Sequence, residues 1–427
     1  MSPRSFANKL LSVYTTRTVS YVQPKTDHPP LPVHRVELNL ADGVYITHLH
    51  TWGGYNMAIT SDGKVGTSVY HARSCILLFI FLHTTHPYQQ VRTWGPDNSC
   101  LSRTGPPNTP TVVTLEHGVV KGGCGDRFMV VLCQNNRIYI WGGIRVEKYD
   151  DDDDDEYFKF YIGRIEHSQF TVPFDITSYV TRRRRNRSVI TDISVGHRHF
   201  MVLSTRHIYM CSDSGCSQLA TVTGLRRAQT RAYRSGLGRM NSVHTVLCGG
   251  YNSFAFGPTT LFAWGLNDSR QIGREGDNSV NHVHTPRSPA LPLRMQDICD
   301  VAPGRRCTFV LNADSHVFVM GRTEPFTDTS LDVMLHFPEK ICQIVANTRA
   351  HYYARTADNY IIRPNVTTNP PSYKRRKLEG VLTIEQIVIC SGDDDGSSDQ
   401  MAIVNNRRSI VVWNWPIRLQ ITSAGSV

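Results

Sequence analysis

A short strand ending in Trp-Gly recurs along this chain, at Trp94-Gly95, Trp141-Gly142 and Trp264-Gly265. Weaker equivalents follow the same grammar at Met210-Cys211-Ser212, Val319-Met320-Gly321, Ile361-Ile362-Arg363 and Val412-Trp413-Asn414. Together they make seven units spaced on average by about 53 residues, a period of the propeller type. Each unit opens with an apolar run such as Ile193-Ser194-Val195, then bends through small and polar residues. Gly196-His197-Arg198-His199, Gly249-Gly250-Tyr251-Asn252-Ser253 and Gly304-Arg305-Arg306-Cys307 are such bends. A second apolar strand, a turn and the Trp-Gly strand complete the unit. In the first unit the turn is Ser61-Asp62-Gly63, a hairpin signal in which glycine supplies positive φ at no steric cost. The glycine after tryptophan marks a place where backbones approach closely or the strand bends. No such unit buries its apolar faces alone, whereas sheets arranged radially bury them against one another and leave only short edges. The pattern predicts an all-β, seven-bladed β-propeller.

The stretch Trp264-Gly265-Leu266-Asn267-Asp268-Ser269-Arg270-Gln271-Ile272-Gly273 carries a more specific signal. With the glycine bend, the Asp-Gly turn and the Trp-Gly strand, it resembles the repeat of the regulator of chromosome condensation (RCC1) family. It departs from that pattern at Arg270, where glycine is usual, and at Ile272, where leucine is usual. The resemblance spans residues 33 to 415. Glycine pairs at Gly53-Gly54, Gly122-Gly123, Gly142-Gly143 and Gly249-Gly250 suggest a Kelch propeller instead, but the Kelch spacing to tyrosine and tryptophan does not hold. The resemblance implies a protein-interaction module. Its name-giving members exchange guanine nucleotide on Ran-type small GTPases and bind chromatin, without covalent catalysis and without a cofactor. The end-face loops expected to carry binding are Asn267, Asp268, Arg270 and Gln271 in one turn and Arg305 and Arg306 in one bend.

The net charge of +10 is concentrated in three segments. The first 26 residues hold Arg4, Lys9, Arg17 and Lys25 and no acid. Arg182, Arg183, Arg184, Arg185 and Arg187 form a second cluster, and Lys374, Arg375, Arg376 and Lys377 a third. The propeller outside them is therefore slightly acidic. Basic clusters of this kind contact nucleic acid, acidic lipid or an import receptor, and the plainer reading of each is a solvated loop tip. Asp150 to Asp155 with Glu156 form an acidic run in the same connector, 143–190, as the arginines; like charges repel and keep such a segment expanded. Gly392-Asp393-Asp394-Asp395-Gly396 lacks the alternating spacing of a calcium loop.

Residues 1–32 read as a basic tail or a targeting segment. Phe6, Leu10, Val13 and Arg17 lie at helical spacing among many hydroxyl residues, as in a mitochondrial presequence. Lys374 to Lys377 read instead as a nuclear import signal in an exposed connector between the sixth and seventh units, which places the protein in nucleus or cytoplasm, with mitochondrion as the alternative. The chain holds 11 cysteines, an odd number, and no Cys-x-x-Cys pair, which points to reduced thiols and to no zinc site. A monomer without a transmembrane segment is expected; the apolar run Cys75 to Leu82 is far short of the ~20 residues a span needs.

That run lies in residues 66–91, which interrupt the first unit. Joining Val65 to Arg92 reads Asp-Gly-Lys-Val-Arg-Thr-Trp-Gly-Pro-Asp-Asn, a better copy of the repeat. The segment opens Gly66-Thr67-Ser68-Val69-Tyr70 and closes Tyr88-Gln89-Gln90, compatible with splice-site codons, so it reads as an insertion or a translated intron.

No nucleophile elbow, His-Glu-x-x-His or phosphate loop occurs in the chain. His48 and His50 alternate along an early strand, His197 and His199 flank a bend, and His282 and His284 share a polar loop. They serve either as ligand contacts at the channel or as backbone-bonding side chains that fix the bends, and the second reading is favoured. A lyase or hydrolase built on channel-end histidines and acids is the competing class, and nothing in the spacing demands it.

Overall fold

The computed structural model describes residues 17–20, 29–37, 42–43, 45–52, 55–61, 65–69, 89–91, 113–115, 117–125, 128–142, 160–162, 165–167, 170–181, 189–205, 207–212, 229–233, 243–273, 281–289, 291, 293–321, 333–346, 352–365, 372–389, 400–405 and 409–413. Among them the architecture is all-β and radial, a β-propeller.

Six blades are formed among the described residues. In the 190–233 blade, Ile190–Val195 is the inner strand, and His199–Ser204, Ile208–Ser212 and Gln229–Tyr233 follow outward in antiparallel order. The same order builds the 245–287 blade and the 341–376 blade. It also builds the 119–175 blade, whose fourth strand Phe170–Asp175 comes from the segment expected to be only a charged connector. Arg17–Ser20, within the expected tail, adds a fifth strand to the 298–336 blade, pairing in parallel with Val333–His336. The last blade takes Ile384–Ile389, Gln400–Val404 and Ser409–Trp413 from the end of the chain and Val33–Glu37 from near its start. This antiparallel pairing, Val33 opposite Trp413 through Glu37 opposite Ser409, closes the ring.

The seven blades expected from the repeat are thus six. The first unit gives a three-stranded sheet, Ile46–Trp52, Tyr55–Thr60 and Val65–Val69, and a separate two-stranded pairing of Gln89–Val91 with Val113–Leu115. The physical reason is the interruption after Val65: the third strand runs on into residues 66–69 instead of the Trp94-Gly95 segment, which lies outside the described residues, as does the Asp62-Gly63 turn.

The apolar faces of neighbouring blades meet in continuous clusters, and this burial is the main stabilising term for sheets that expose little edge. Trp141, Trp264 and Trp413 are fully buried in three of these clusters. Phe128–Cys133, His199–Ser204 and Cys307–Asn312 are buried along their whole length, so these second strands read as continuous runs rather than alternating ones. Gly265 has φ 107° and a Cβ there would lie 2.5 Å from the Tyr251 carbonyl oxygen, so the residue after tryptophan must be glycine. Gly142 and Gly321 share the positive φ.

Polar side chains lock each blade to the next. Six inner strands share a pattern of Ile or Val, any residue, then a polar or charged residue, with a register shift across that step. Gln386 accepts from Leu49 N (3.2 Å) and donates to Leu49 O (3.1 Å). Gln343 makes the same pair of bonds with Ile387, at 2.9 and 3.0 Å. Asp300 accepts from Ile344 N and Asp192 from Val246 N, while Lys121 pairs with Asp192. Toward the opposite end, left-handed turn residues hold the start of the next inner strand. Ile190 N donates to Asn136 Oδ1 (2.7 Å), Ile341 N to Ser315 Oγ (3.1 Å) and Ile384 N to Asn359 Oδ1 (2.9 Å). Each bond satisfies a backbone donor that the ladder leaves open.

Candidate interaction face

The glycine bends between first and second strands gather at one end of the propeller. Each is closed by a single backbone bond: Gly196 N to His199 O (2.8 Å), Gly249 N to Asn252 O (2.9 Å) and Gly304 N to Cys307 O (2.8 Å). Successive bends touch. His197 N donates to Gly249 O (3.3 Å), and Asn252 Nδ2 donates to Gly304 O (3.2 Å). A Cβ on Gly196 would collide with the Gly249 carbonyl, which is why the bend sequence begins with glycine.

The third strand of each blade runs back toward this end, so the turn that follows Thr260–Leu266 lies beside the bends. Asn267 is buried; its Oδ1 accepts from Ile272 N (3.1 Å) and its Nδ2 donates to Gly273 O (3.3 Å). Gln271 is fully buried, accepting from Ser269 N (2.9 Å) and donating to Asp268 Oδ1 and to Arg305 O, both at 3.1 Å. The last bond brings the two expected loops together across neighbouring blades. Asn267 and Gln271 are spent on building the turn, and the exposed members of the expected set are Asp268, Arg305 and Arg306, with Arg270 half-buried. Arg270 has φ 62°, the left-handed value for which the usual glycine is suited.

Arg305 lays its guanidinium over the Tyr251 ring at 5.3 Å, and His197 meets the same ring edge-on at 5.2 Å. Arg198, beside His197 in the chain, is buried. The face therefore presents cationic and aromatic groups on a rigid, glycine-rich base, and Asp268 is the acid beside them among the described residues.

His50 bonds backbone and His199 bonds a side chain of the next blade. His50 Nδ1 accepts from Cys124 N (3.1 Å), and burial together with Lys121 pushes its pKa down to about 4. His199 Nε2 lies 3.0 Å from Ser253 Oγ, and burial pushes its pKa down to about 3. This Ser-His pair is closed off from solvent, so it holds one blade to the next and offers no nucleophile to a substrate. His282 and His284 stack at 6.2 Å on Thr260–Leu266's partner strand, His282–Arg287.

Lys374 to Lys377 are not in a connector. Ser372–Arg376 is the outermost strand of its blade, away from the bend end. Arg375 bonds Glu339 Oε1 (2.9 Å) and covers the Tyr360 ring at 4.7 Å, while Lys377 sits 5.0 Å from the same ring. Tyr373 is buried and donates to Glu339 (2.7 Å), so the run is held by its neighbours rather than presented as a free extended peptide. Arg182, Arg183, Arg184, Arg185 and Arg187 lie outside the described residues. The polar residues that join the inner strands, Lys121, Asp192, Asp300, Gln343 and Gln386, were missed by alignment on Trp-Gly. Their signal, a polar residue two places after Ile or Val, was present at the same period.

No protein-family model matches the chain, and no curated protein matches it by sequence. Solved structures do match its fold. Prp20p from Saccharomyces cerevisiae, in a structure that concerns its binding to Gsp1p and histones, aligns with 16% identity over 87% of this chain and 83% of that one, TM-score 0.60. The same yeast RCC1 bound to Kap60 gives 16% identity, 87% and 81% coverage and TM-score 0.59. Human WBSCR16 gives 14% identity, 90% and 89% coverage and TM-score 0.58. This chain is a β-propeller similar in fold to these RCC1 and WBSCR16 structures.

Proposed function

We propose that this protein is an interaction propeller that engages a small GTPase of the Ran type through its glycine-bend end and accelerates release of bound GDP. The observation that carries this reading is the junction of two loops from neighbouring blades, 267–271 and 305–306, fixed by the bond from Gln271 to Arg305 O. A rigid face of exposed Arg305, Arg306 and Asp268 is suited to wedging against a partner. Exchange needs no covalent step: a face that binds the nucleotide-free form more tightly shifts the GTPase toward it. The likeness in fold to Prp20p supports the choice of partner class. Chromatin association would rest on the basic segments contacting phosphate or acidic protein surface, with affinity falling as salt rises. An adaptor with a mitochondrial address is the second reading, favoured by the fixed state of Lys374 to Lys377, and cleavage of residues ahead of Leu31 in the mature protein selects it.

The test is release of fluorescent GDP from a panel of small GTPases that includes Ran. Acceleration of one member, reduced about tenfold by Arg305→Ala with Arg306→Ala, is the expected result, equal to losing about 1.4 kcal/mol of interaction. No acceleration by a folded protein removes the exchange reading and leaves the adaptor.

A further inference from the structure

The first repeat unit holds two incomplete pairings where every other unit has one continuous third strand. Val65–Val69 pairs inward with Tyr55–Thr60, ending with Val69 opposite Tyr55. Gln89–Val91 pairs outward with Val113–Leu115, with Val91 opposite Val113. Among the described residues neither segment pairs on both sides. We infer that residues 66–91 are an insertion whose first residues stand in for the inner edge of one strand and whose last residues stand in for its outer edge, and that a chain joined from Val65 to Arg92 forms that strand whole.

Register supports this on both edges. In three blades the glycine that ends the third strand lies opposite the first residue of the second strand: Gly142 opposite Phe128, Gly265 opposite Asn252, Gly321 opposite Cys307. Tryptophan, one place earlier, lies opposite the second residue, as Trp141 does to Met129 and Trp264 to Ser253. In the joined chain Gly95 falls where Val69 now stands, opposite Tyr55, and Trp94 falls where Ser68 stands, opposite Asn56. These are the places that three blades give to glycine and two of them to tryptophan.

The outer edge agrees independently. In the 298–336 blade Val317, four residues before Gly321, pairs with Leu335, six residues before Ile341 at the start of the next inner strand. In the joined chain Val65 is four residues before Gly95 and takes the place of Val91 opposite Val113, six residues before Val119. The joined strand so matches an intact blade on two edges at once, with no shift on either. A segment inserted at a random point would have to keep both registers by coincidence, because a slip of one residue turns every side chain to the wrong face. The insertion also carries Cys75 to Leu82, eight apolar residues without a charge that the repeat pattern does not call for.

The experiment compares the full chain with the chain joined from Val65 to Arg92, each with and without Trp94→Ala, by thermal unfolding followed in circular dichroism. The joined chain is expected to unfold at a higher temperature, and Trp94→Ala to lower its midpoint as loss of a buried tryptophan does, while leaving the full chain's midpoint unchanged. A joined chain that unfolds at or below the midpoint of the full chain, or that does not fold, overturns the inference. So does a full chain whose midpoint Trp94→Ala lowers, a result that needs only the full-length protein.

Discussion

His199 shows how one residue ties sequence to stability here. It is fully buried, and its ring is held by Ser253 in the neighbouring blade, so folding keeps it neutral. Its pKa falls from 6.5 to about 3, which means the unfolded chain binds a proton that the folded one refuses. The stabilisation is complete above pH 6.5 and drains away below it, at about 1.4 kcal/mol for each further pH unit until the folded value is reached. Denaturant midpoints measured from pH 7.5 to 4.5 should fall steeply for the natural chain and less steeply for His199→Asn, whose starting stability is lower. Asp300 acts in the opposite sense: burial lifts its pKa from 3.8 to about 6, so its contribution is present below 3.8 and lost as pH rises through 6. The two trends cross in the acid range, and a single-site variant separates them. As a chemical group His199 was visible in the sequence close to its bend glycine, and the structure bonds its ring to a side chain of the next blade. That its partner is a serine from the next blade was not legible, because that contact spans 54 residues.

At the scale of the element, the turn 267–273 was the most legible motif. Its Asn, Gln and glycine are each explained by a bond or a dihedral angle: Asn267 and Gln271 complete the turn, and Gly273, like Gly265 in the strand before it, occupies positive φ. Arg270 is the residue that departs from the pattern, and it bears a left-handed φ of 62° with a full side chain. Arg270→Gly is expected to raise unfolding stability by roughly 0.5–1 kcal/mol, the cost of a non-glycine residue in that region less the added freedom of the unfolded chain. A chemical denaturation series measures it, and a fall in stability would mean that Arg270 makes a contact worth more than its strain. The basic strand Ser372–Arg376 is the contrasting case. Four cations in a row look like an exposed loop, yet Tyr373 one place earlier is buried and Glu339 collects both Tyr373 and Arg375. Charge runs say where a segment prefers water; they do not say which strand edge lies next to it.

For the molecule as a whole, closure is the property on which all blades depend. Val33–Glu37 completes the last blade, and Leu31 is fully buried, bonding Lys377 O (2.8 Å) and accepting from Glu379 N (2.9 Å). Removal of residues 1–28 is expected to leave a single cooperative unfolding transition. Removal of 1–38 takes away the closing strand and exposes the edge at Ser409–Trp413, with Trp413 beside it, so the transition should broaden and the protein should self-associate. Calorimetry with light scattering distinguishes the two truncations. A presequence cleaved within the first ~26 residues would leave the closing strand in place but remove the Arg17–Ser20 strand from the 298–336 blade.

By itself the sequence determined the period, the strand order within a unit and the residues with only local reasons to exist: the bend glycines, the glycine after tryptophan and the Asn-to-Gln turn. These depend on dihedral angles and on contacts a few residues apart, which a repeat prints directly. Tertiary structure alone decided how many units complete a blade, which end-face loops meet, and where the ring is sealed. Each of those rests on pairing between segments far apart in the chain: Val33 with Trp413, Gln271 with Arg305, and Val65 and Val91 with different neighbours. A hydrogen-bond edge carries no side-chain identity, so nothing in the local sequence could name its partner.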